Sequence, residues 1–561
     1  MDKEVIKAYA LKNAIEHYGK ANKNAVLNSL FVEGLKKENI KDILPLIDEV
    51  VKEVNSKKIE EQKKEFGLYE GRIRKRKTRG EDELPELPKA IEGNVVMRLA
   101  PFPSGPLHIG NTRALILNYE YVKKYKGKFF LFFDDTIGSE EKQIEPQAYK
   151  LIEEGINWLG IKPDKVFYKS DRTKKYYEYA EELIKKGHMY VCDCEQEEFQ
   201  RLKEKGIDCP CRVLPPEKNL ERWKKMFSKE SKEGDFVVRL KTSMQDPDPA
   251  FRDRVMFKIS TRPHPRTKNK YKVYPSMEFS WAIDDKYIGT THVLRGIEHQ
   301  ISTKVQDYIR SIFKWENPIS LYLGLFQIEG IKISKSKGAK EVKTGAYIGW
   351  NDPRLWSLQS LRDRGIQPEA IRKFILMQGI NQSNSTIPVE VLYSINRKIL
   401  ENVERFFILK NPVRIKIHGS PLLKKELIVK KDGSKKRMYY INQEFLIEKE
   451  DYKKISDGGI YRLVGLFNFK CSWPNVIKDK YLFFLNEVEE EIRTIAIPWL
   501  NASEENVNLR ILMPDGNYTK CLGEGSLKNL KEKETVYFEK FGFCKLHKKE
   551  RDFFEFWFTH N

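Results

Sequence analysis

The chain has 561 residues, and at about 150 residues per domain this length favours three to four domains over a single core. It carries 102 Lys and Arg against 81 Asp and Glu, and the net charge of +21 favours a polyanionic partner, usually a nucleic acid. The aromatic content of 12% and the lack of any run of about 18 apolar residues disfavour a disordered basic tail, a secreted disulfide scaffold and a membrane-spanning protein.

The N-terminal region is predicted to be helical over residues 1–69. The segments AYALKNAIEHY and ILPLIDEVVKEV repeat apolar residues at three- and four-residue spacings. The charged start has no apolar run of the kind found in signal sequences, so we expect a cytoplasmic protein. The basic run GRIRKRKTRG (71–80) is predicted to be a solvated linker, with phosphate contact as the alternative. Residues 1–93 are therefore predicted to form a helical domain and linker, either a cap or a docking module.

A change in sequence texture at Asn94 predicts an α/β domain. NVVMRLA, HIGNTRALILNYEYVKKY and GKFFLFFDDT are typical of a strand, a helix and a strand, and this order predicts the start of a doubly wound parallel sheet. We assign residues 94–187 and 273–330 to its two halves. Residues 188–272 form a Cys-rich insertion, and residues 331–386 a loop and helical region.

After Thr386 the pattern changes to short strands separated by turn residues, without long helices. The segments KKDGSK (430–435) and MPDGNY (513–518) are Asp-Gly hairpin candidates. Residues 387–561 are therefore predicted to form one or two β-barrels.

Four of the seven Cys residues cluster in the insertion. CDC and CPC place two closely spaced pairs in the chain, at Cys192, Cys194, Cys209 and Cys211. Four thiolates suit a tetrahedral Zn²⁺ ion with no open position, which would be structural. The alternative is four buried thiols. The other Cys residues are scattered singly and are expected to pack as small apolar side chains.

Two motifs carry the residues most suited to phosphate chemistry. RLAPFPSGPLHIGNTR (98–113) predicts a strand, a tight turn and a helix whose first turn carries His108, and the amides at a helix N-terminus suit phosphate. IEGIKISKSKG (328–338) concentrates three Lys and two Ser between glycines, and mobile ammonium groups suit a developing pyrophosphate charge.

These motifs resemble the signatures of class I aminoacyl-tRNA synthetases of the glutamyl/glutaminyl branch. HIGN (108–111) resembles the HIGH signature and KISKS (332–336) the KMSKS signature. The likeness, strongest to archaeal glutamyl-tRNA synthetases, covers essentially the whole chain and is densest over 94–386. It continues through FFDDT (132–136), SDR (170–172), HPRTKNKYKVYPSMEF (264–279), IDDKYIGTTHVLRGIEH (283–299) and GWNDPRLWSLQSLRDRGI (349–366).

The resemblance implies a multidomain α/β fold. It comprises a helical N-terminal region, a class I Rossmann-like domain with an acceptor-binding insertion at 188–272, the KISKS loop with a helical stem-contact region at 331–386, and two anticodon-binding β-barrels. The implied reaction activates L-glutamate with ATP and Mg²⁺ to glutamyl-adenylate and pyrophosphate, then transfers glutamate to the terminal adenosine of tRNA(Glu). Whether tRNA(Gln) is also charged stays open, as do protein partners.

Two other functions fit the same resemblance. A glutaminyl-tRNA synthetase shares the fold and signatures, but THVLRG and its Arg295 favour glutamate, because an amide substrate does not need a second cation. A non-catalytic tRNA-binding paralogue is disfavoured because the signature residues His108, Lys332 and Lys335 are all present.

The resemblance also implies roles for individual residues. His108 and Lys335 would stabilise the transition state of adenylate formation, with Lys332 in support. Arg98 would bind the side-chain carboxylate of glutamate, Arg295 would be a second arginine reaching the substrate, and Asp134 would bind its α-amino group. Further ATP contacts are expected at Pro106, Gly110, Asn111, Ser334 and Ser336, and a further substrate contact at Ser104. Departures from the family pattern leave the pocket's details open, at Phe102, Asn111, Phe132, Ile137, Gly138, Met277 and Trp281.

Overall fold

The structure is a computed structural model. It describes residues 2–16, 19–33, 35, 39–73, 84–136, 143–331, 335–472, 481–485 and 494–561. The chain divides into two compact units, Met1–Glu83 and Leu84–Asn561. Within the described residues, no helix is both long and apolar enough to cross a membrane.

The described part of the first unit is helical, as predicted. Its helices are α1 (Lys3–Glu16), α2 (Lys23–Val32), α3 (Ile40–Asn55) and α4 (Ile59–Tyr69). They bury an apolar core that includes Ile6, Leu11, Val26, Ile47 and Val50. Lys7 and Lys57 both pair with Glu53 and Glu65 at 2.7–2.8 Å, which joins α1, α3 and α4 at their surface.

The second unit opens with the predicted parallel sheet. Strands β1 (Val96–Leu99), β2 (Lys128–Phe133) and β3 (Lys165–Tyr168) pair in parallel in the order β1-β2-β3. Helices α5 (Ile109–Lys124) and α6 (Ala148–Trp158) form the crossovers, and α7 (Thr173–Lys185) follows β3.

The sheet is completed after the insertion by a second pair of parallel strands. Following α10 (Met277–Ile288), β8 (His292–Gly296), α11 (Gln300–Ile312) and β9 (Ile319–Leu323) form another strand–helix–strand unit. The amide of Thr291 donates to the carbonyl of Val96 at 3.0 Å, which sets β8 beside β1. Side by side, these two parallel sheets give the spatial order β3-β2-β1-β8-β9, in which the order of the strands along the chain reverses between β1 and β8.

The Cys-rich insertion forms an antiparallel sheet with two helices. Its elements are β4 (Met189–Cys192), α8 (Gln196–Lys205), α9 (Pro216–Lys225), β5 (Val237–Leu240), β6 (Val255–Ile259) and β7 (Val273–Pro275). The strands pair in the order β4-β5-β6-β7 around a core that contains Trp223, Phe257 and Phe279.

The region after β9 is mainly helical and extends further than the sequence indicated. It contains β10 (Phe326–Ile328), α12 (Lys335–Lys343), α13 (Leu358–Arg364), α14 (Pro368–Leu376), β11 (Ser385–Ile387) and α15 (Val389–Ile399). The expectation of strands directly after Thr386 was wrong for α15. This helix buries Leu392 and Asn396 four residues apart, a helical period that the turn residues around it obscured.

Two seven-stranded sheets confirm the β-barrels. The strands of this region are β12 (Arg405–Phe406), β13 (Ile408–Leu409), β14 (Pro412–His418), β15 (Leu423–Ile428), β16 (Lys436–Ile441), β17 (Glu444–Glu448), β18 (Ile460–Leu463), β19 (Asn468–Cys471), β20 (Tyr481–Leu485), β21 (Ile495–Ile497), β22 (Trp499–Asn501), β23 (Val507–Leu512), β24 (Tyr518–Gly523), β25 (Thr535–Phe538), β26 (Gly542–Lys549) and β27 (Phe554–His560), with α16 (Lys449–Tyr452) after β17. Strands β15 and β16 pair only with each other, and the others form the two seven-stranded sheets. Both predicted hairpins are present, as β15–β16 and β23–β24.

Each sheet closes on itself because its two end strands are consecutive in the chain. One sheet runs β12-β25-β26-β27-β23-β24-β13, and only Phe407 separates its ends. The other runs β21-β18-β19-β20-β14-β17-β22, and only Pro498 separates its ends. One residue cannot span an open sheet, so each sheet must curl until its edges meet.

Candidate active site

The sheet's reversal of strand order gathers three of the predicted site residues. Arg98 lies on β1, Asp134 directly follows β2, and Arg295 lies on β8. These strands are parallel neighbours, so their carboxyl ends meet at one edge of the sheet. The amide of Asp134 donates to the carbonyl of Pro101 at 3.0 Å, which ties the end of β2 to the loop after β1. Open α/β sheets bind ligands in the crevice at such a reversal.

Arg98 is buried in an ion-pair network that the sequence motifs did not reveal. Its Nε and Nη2 donate to the two carboxylate oxygens of Asp285 at 2.6 and 2.9 Å. Arg310 donates to the same carboxylate at 3.0 Å. Burial alone would raise the pKa of Asp285, but the guanidinium groups around it hold that pKa below its ordinary value. Two nitrogens of Arg98 are therefore already committed to a protein carboxylate.

Asp134 is held by two residues that its motif does not contain. Lys169, which is 0% exposed, pairs with Asp134 Oδ1 at 3.0 Å, and the indole N–H of Trp281 donates to Asp134 Oδ2 at 3.2 Å. Lys169 also donates to the hydroxyl of Ser280 at 2.6 Å. Burial lowers the pKa of Lys169, while Asp134 opposes that effect. The sequence offered no signal for Lys169 beyond its place before SDR.

Trp281 forms the wall between these two networks. The guanidinium of Arg98 lies 3.4 Å from its ring centroid, and the ammonium of Lys169 lies 4.1 Å from it. Phe132 packs edge-on against the same ring at 5.0 Å. Phe132 and Trp281, two positions at which the chain departs from the family pattern, thus pack together beside Arg98 and Lys169.

Arg295 is a cation without a carboxylate of its own. Its Nη1 donates to Thr303 Oγ1 at 3.3 Å and to Gln306 Oε1 at 3.2 Å, both neutral groups. Among the described residues, no carboxylate oxygen lies within 4.0 Å of its guanidinium. Burial, reinforced by the charge of Arg98 and only partly opposed by the charge of Asp285, lowers the pKa of Arg295 to about 10. The site is therefore arranged to gain stability when an anion arrives.

His108 is the N-cap residue directly before helix α5. The carboxamide of Asn111 caps the helix by accepting from the His108 amide at 3.1 Å. The turn is fixed from outside as well, since Ile109 donates to the carbonyl of Trp356 at 3.0 Å and Leu358 to that of Leu107 at 2.9 Å. The start of α13 therefore clamps the turn that carries His108.

Trp350 packs between the two signature segments. Gly105, at φ +154°, lies against the Trp350 ring, and a Cβ there would be 3.0 Å from the ring, which would have to shift by a few tenths of an ångström. A Cβ at Gly338, in α12, would lie 3.5 Å from the same ring. Two other predicted ATP contacts are also placed here: Pro106 lies in the turn before α5, and Gly110 lies in the first turn of that helix. The predicted substrate contact Ser104 donates its amide to the Phe102 carbonyl at 2.9 Å.

The predicted phosphate loop lies largely outside the described residues. Lys332 and Ser334 are outside them, and Lys335 and Ser336 are described only as the backbone that begins α12. The far end of α12 is tied back to the signature turn. Lys343 pairs with Glu145 at 2.5 Å, and the Glu145 amide donates to the Pro103 carbonyl at 2.9 Å.

The four predicted zinc ligands come together in the insertion. The Sγ atoms of Cys192, Cys194, Cys209 and Cys211 all lie within 4.8 Å of one another. Cys194 and Cys211 are 3.6 Å apart, and Arg222 donates to Cys211 Sγ at 3.4 Å. A tetrahedron with Zn–S bonds of about 2.3 Å separates its sulfurs by roughly 3.8 Å, so the cluster fits a zinc ion.

The chain is similar to known proteins along almost its full length. The family model of the catalytic domain of class I tRNA synthetases (E and Q) matches residues 94–402, and the model of the anticodon-binding domain of the same synthetases matches residues 403–482. The glutamate–tRNA ligase of Pyrococcus furiosus is 41% identical over 97% of both chains, and that of Pyrococcus horikoshii is 42% identical over 97% of both. The glutamate–tRNA ligase of Methanocaldococcus jannaschii is 38% identical over 99% of this chain and all of its own.

Proposed function

This chain belongs to the class I tRNA synthetases of the glutamate and glutamine group, and on that basis we propose that it is an ATP-dependent ligase that charges tRNA with L-glutamate. Full-length similarity to glutamate–tRNA ligases supports the reaction. The observation that carries the choice of substrate is the guanidinium of Arg295, which hydrogen-bonds the neutral Thr303 and Gln306 and has no carboxylate within 4.0 Å among the described residues. The activity would operate in the cytoplasm, where tRNA is charged.

The substrate is bound by charge at both ends. The side-chain carboxylate of glutamate pairs with Arg295, and Arg98 contributes Nη1, the guanidinium nitrogen that does not donate to Asp285. Asp134 receives the α-ammonium group. A glutamine side chain has no charge to offer Arg295, so the cation's burial would go uncompensated, and polar sites reject ligands that leave a buried group unpaired.

The first chemical step joins glutamate to AMP. An oxygen of the α-carboxylate attacks the α-phosphorus of ATP, a new P–O bond forms, the bond to the β-phosphate breaks and pyrophosphate leaves. Negative charge grows on the phosphate oxygens, and His108, Lys332 and Lys335 stabilise it, with Pro106, Gly110, Asn111, Ser334 and Ser336 as further ATP contacts. Mg²⁺ accompanies the phosphates and neutralises part of their charge.

The second step transfers glutamate to tRNA. The 2′-hydroxyl of the terminal adenosine attacks the adenylate carbonyl, and AMP leaves. The insertion at 188–272 would receive the acceptor end, and the barrels the anticodon of tRNA(Glu). The matched anticodon-binding model over residues 403–482 supports the latter assignment.

The four-Cys cluster would hold a structural Zn²⁺ that braces the insertion. All four positions of the tetrahedron are protein thiolates, so the ion has no open site for chemistry. Purified protein should contain about one zinc per chain. The Cys209→Ser variant should lose it, while Cys471→Ser, a buried Cys outside the cluster, should not. Zinc content near zero in the unmodified protein would contradict the assignment.

The catalytic assignment is tested by pyrophosphate exchange with glutamate, ATP and tRNA. Lys335→Ala should abolish exchange while leaving tRNA affinity nearly intact. The matched control is Lys337→Ala, which removes a neighbouring charge from the same segment and should retain activity. Unchanged exchange in Lys335→Ala would refute the role of that lysine. No exchange with the unmodified chain would favour a tRNA-binding protein without catalysis.

A further inference from the structure

Lys169 is buried in a way that demands an explanation. Lysines are almost never fully buried unless they are paired, and this side chain is 0% exposed. Its ammonium contacts Asp134 Oδ1 at 3.0 Å, Ser280 Oγ at 2.6 Å and the face of Trp281 at 4.1 Å. These contacts place the Lys169 ammonium directly beside Asp134, to which the proposed function assigns the α-ammonium group of the substrate.

The contacts of Lys169 and Trp281 fix the orientation of the Asp134 carboxylate. Lys169 engages one oxygen, and the indole N–H of Trp281 engages the other at 3.2 Å. The backbone of Asp134 is itself held by Pro101 at 3.0 Å. A carboxylate held at both oxygens and at its backbone cannot rotate to follow a ligand of a different length.

The indole ring of Trp281 also packs against the guanidinium of Arg98. The guanidinium lies 3.4 Å from the ring centroid, and Asp285 holds two of its nitrogens. Trp281 therefore touches both the anion and one of the cations to which the proposed function assigns the substrate. Its ring is a rigid spacer, backed by Phe132 at 5.0 Å.

We propose that Lys169 and Trp281 are positioning residues that fix the separation of Asp134 and Arg98, and that this separation selects glutamate over the shorter aspartate. The inference rests on the proposed function. Aspartate has one methylene fewer than glutamate between its α-ammonium group and its side-chain carboxylate. It therefore cannot reach Asp134 and Arg98 at the same time if neither group can move. A single methylene is worth about 10- to 200-fold in selectivity where the site cannot adjust.

The test compares variants in pyrophosphate exchange with glutamate and with aspartate. Trp281→Phe keeps an aromatic ring but removes the N–H to Asp134, and Lys169→Met removes the ammonium while keeping the chain's bulk. We expect each to raise KM for glutamate by about tenfold, to leave KM for ATP within about twofold, and to reduce the kcat/KM ratio of glutamate to aspartate by about tenfold. A fall in kcat alone, or an unchanged ratio, would overturn the proposal.

Two control variants match these changes in chemistry but lie elsewhere. Trp223→Phe removes a buried indole N–H that donates to Glu181 at 3.3 Å in the insertion. Lys175→Met removes an exposed ammonium paired with Glu178 at 2.7 Å. Both should keep the ratio of glutamate to aspartate unchanged. A matching loss of selectivity in either control would show that the effect is not specific to the site.

Lys169→Met leaves the buried Asp134 without its ammonium partner, so it can lose stability for that reason alone. The double variant Lys169→Met/Asp134→Asn removes both charges and should recover the unfolding midpoint, because no unpaired carboxylate is left buried. An unfolding midpoint that stays low in the double variant would show that Lys169 acts on stability by some route other than its pair with Asp134. If Lys169→Met does not fold, Trp281→Phe carries the test. Absence of glutamate exchange in the unmodified chain would instead refute the proposed function.

Discussion

Replacing Arg295 with Met is expected to stabilise the empty protein and to weaken glutamate binding. Arg295 is a charged group with neutral partners, and burial lowers its pKa from 12.5 to about 10. A fall of one unit in the pKa corresponds to roughly 1.4 kcal/mol, so keeping the charged form of Arg295 in the folded protein costs about 3 kcal/mol. The substitution removes this cost. It also loses hydrogen bonds to Thr303 and Gln306, which offset about 1 kcal/mol each. The net gain in the free energy of unfolding is about 1 kcal/mol.

Arg310→Met is the matched control because Arg310 lies beside the same carboxylate. Arg310 pairs with Asp285 at 3.0 Å and with Asp307 at 3.1 Å, so its loss removes one of the two guanidinium groups that pair with the buried Asp285. That variant should lose about 1.5–3 kcal/mol of stability, as expected for lost hydrogen bonds to charged groups. The two substitutions are chemically identical and should shift stability in opposite directions.

The assay is urea unfolding of each variant without substrate, followed by pyrophosphate exchange at varied glutamate. Arg295→Met should unfold at higher urea than the unmodified chain and should show a KM for glutamate raised by at least about tenfold, as expected for a lost charged contact. Destabilisation comparable to that of Arg310→Met would refute the view that Arg295 awaits an anion. So would an unchanged KM for glutamate.

Three further predictions concern the turn at His108, the contact of α15 with β27, and tRNA. Gly105→Ala should slow adenylate formation at least about tenfold by displacing Trp350, whereas Gly93→Ala, also at positive φ but with no atom within 4 Å, should not. Burial lowers the pKa of His560 to about 4, and Asn396 donates to its Nε2 at 2.9 Å, so the neutral ring is the folded form. The unfolded chain binds this proton below about pH 6.5, so stability should fall by about 3 kcal/mol between pH 6.5 and 4, and His560→Gln should flatten that fall in urea titrations. Because the diffuse basic charge meets phosphates, tRNA affinity should fall steeply with salt in filter binding, and a flat response would contradict this.

The sequence predicted the features that depend on local patterns. The βαβ unit at Asn94 follows from strand and helix periodicities, and the two Asp-Gly hairpins follow from turn chemistry. The Cys cluster was predictable because two close pairs need only one loop to bring them together. In each case the deciding information lies within a few residues of the feature itself.

The sequence could not predict how the site residues are held. Asp285 lies 187 residues from Arg98, and Trp281 lies 147 residues from Asp134, so the pairing is set by the order of the strands and not by any local motif. Lys169 resembles a surface lysine in its sequence context and is fully buried in the fold. The sequence assigned Arg98 to the substrate carboxylate, but Asp285 already occupies two of its nitrogens. Only the three-dimensional structure shows that Arg98 has a protein carboxylate as its partner, whereas Arg295 hydrogen-bonds neutral groups.

The assignment of the chain as a glutamate–tRNA ligase is best tested by tRNA charging with glutamate and with glutamine in parallel. Each amino acid would be offered to the purified protein with ATP, Mg²⁺ and tRNA, and pyrophosphate exchange would be run with and without the tRNA. We expect charging with glutamate and none with glutamine, because the glutamine side chain brings no counter-charge to Arg295. Charging with glutamine alone would contradict the assignment.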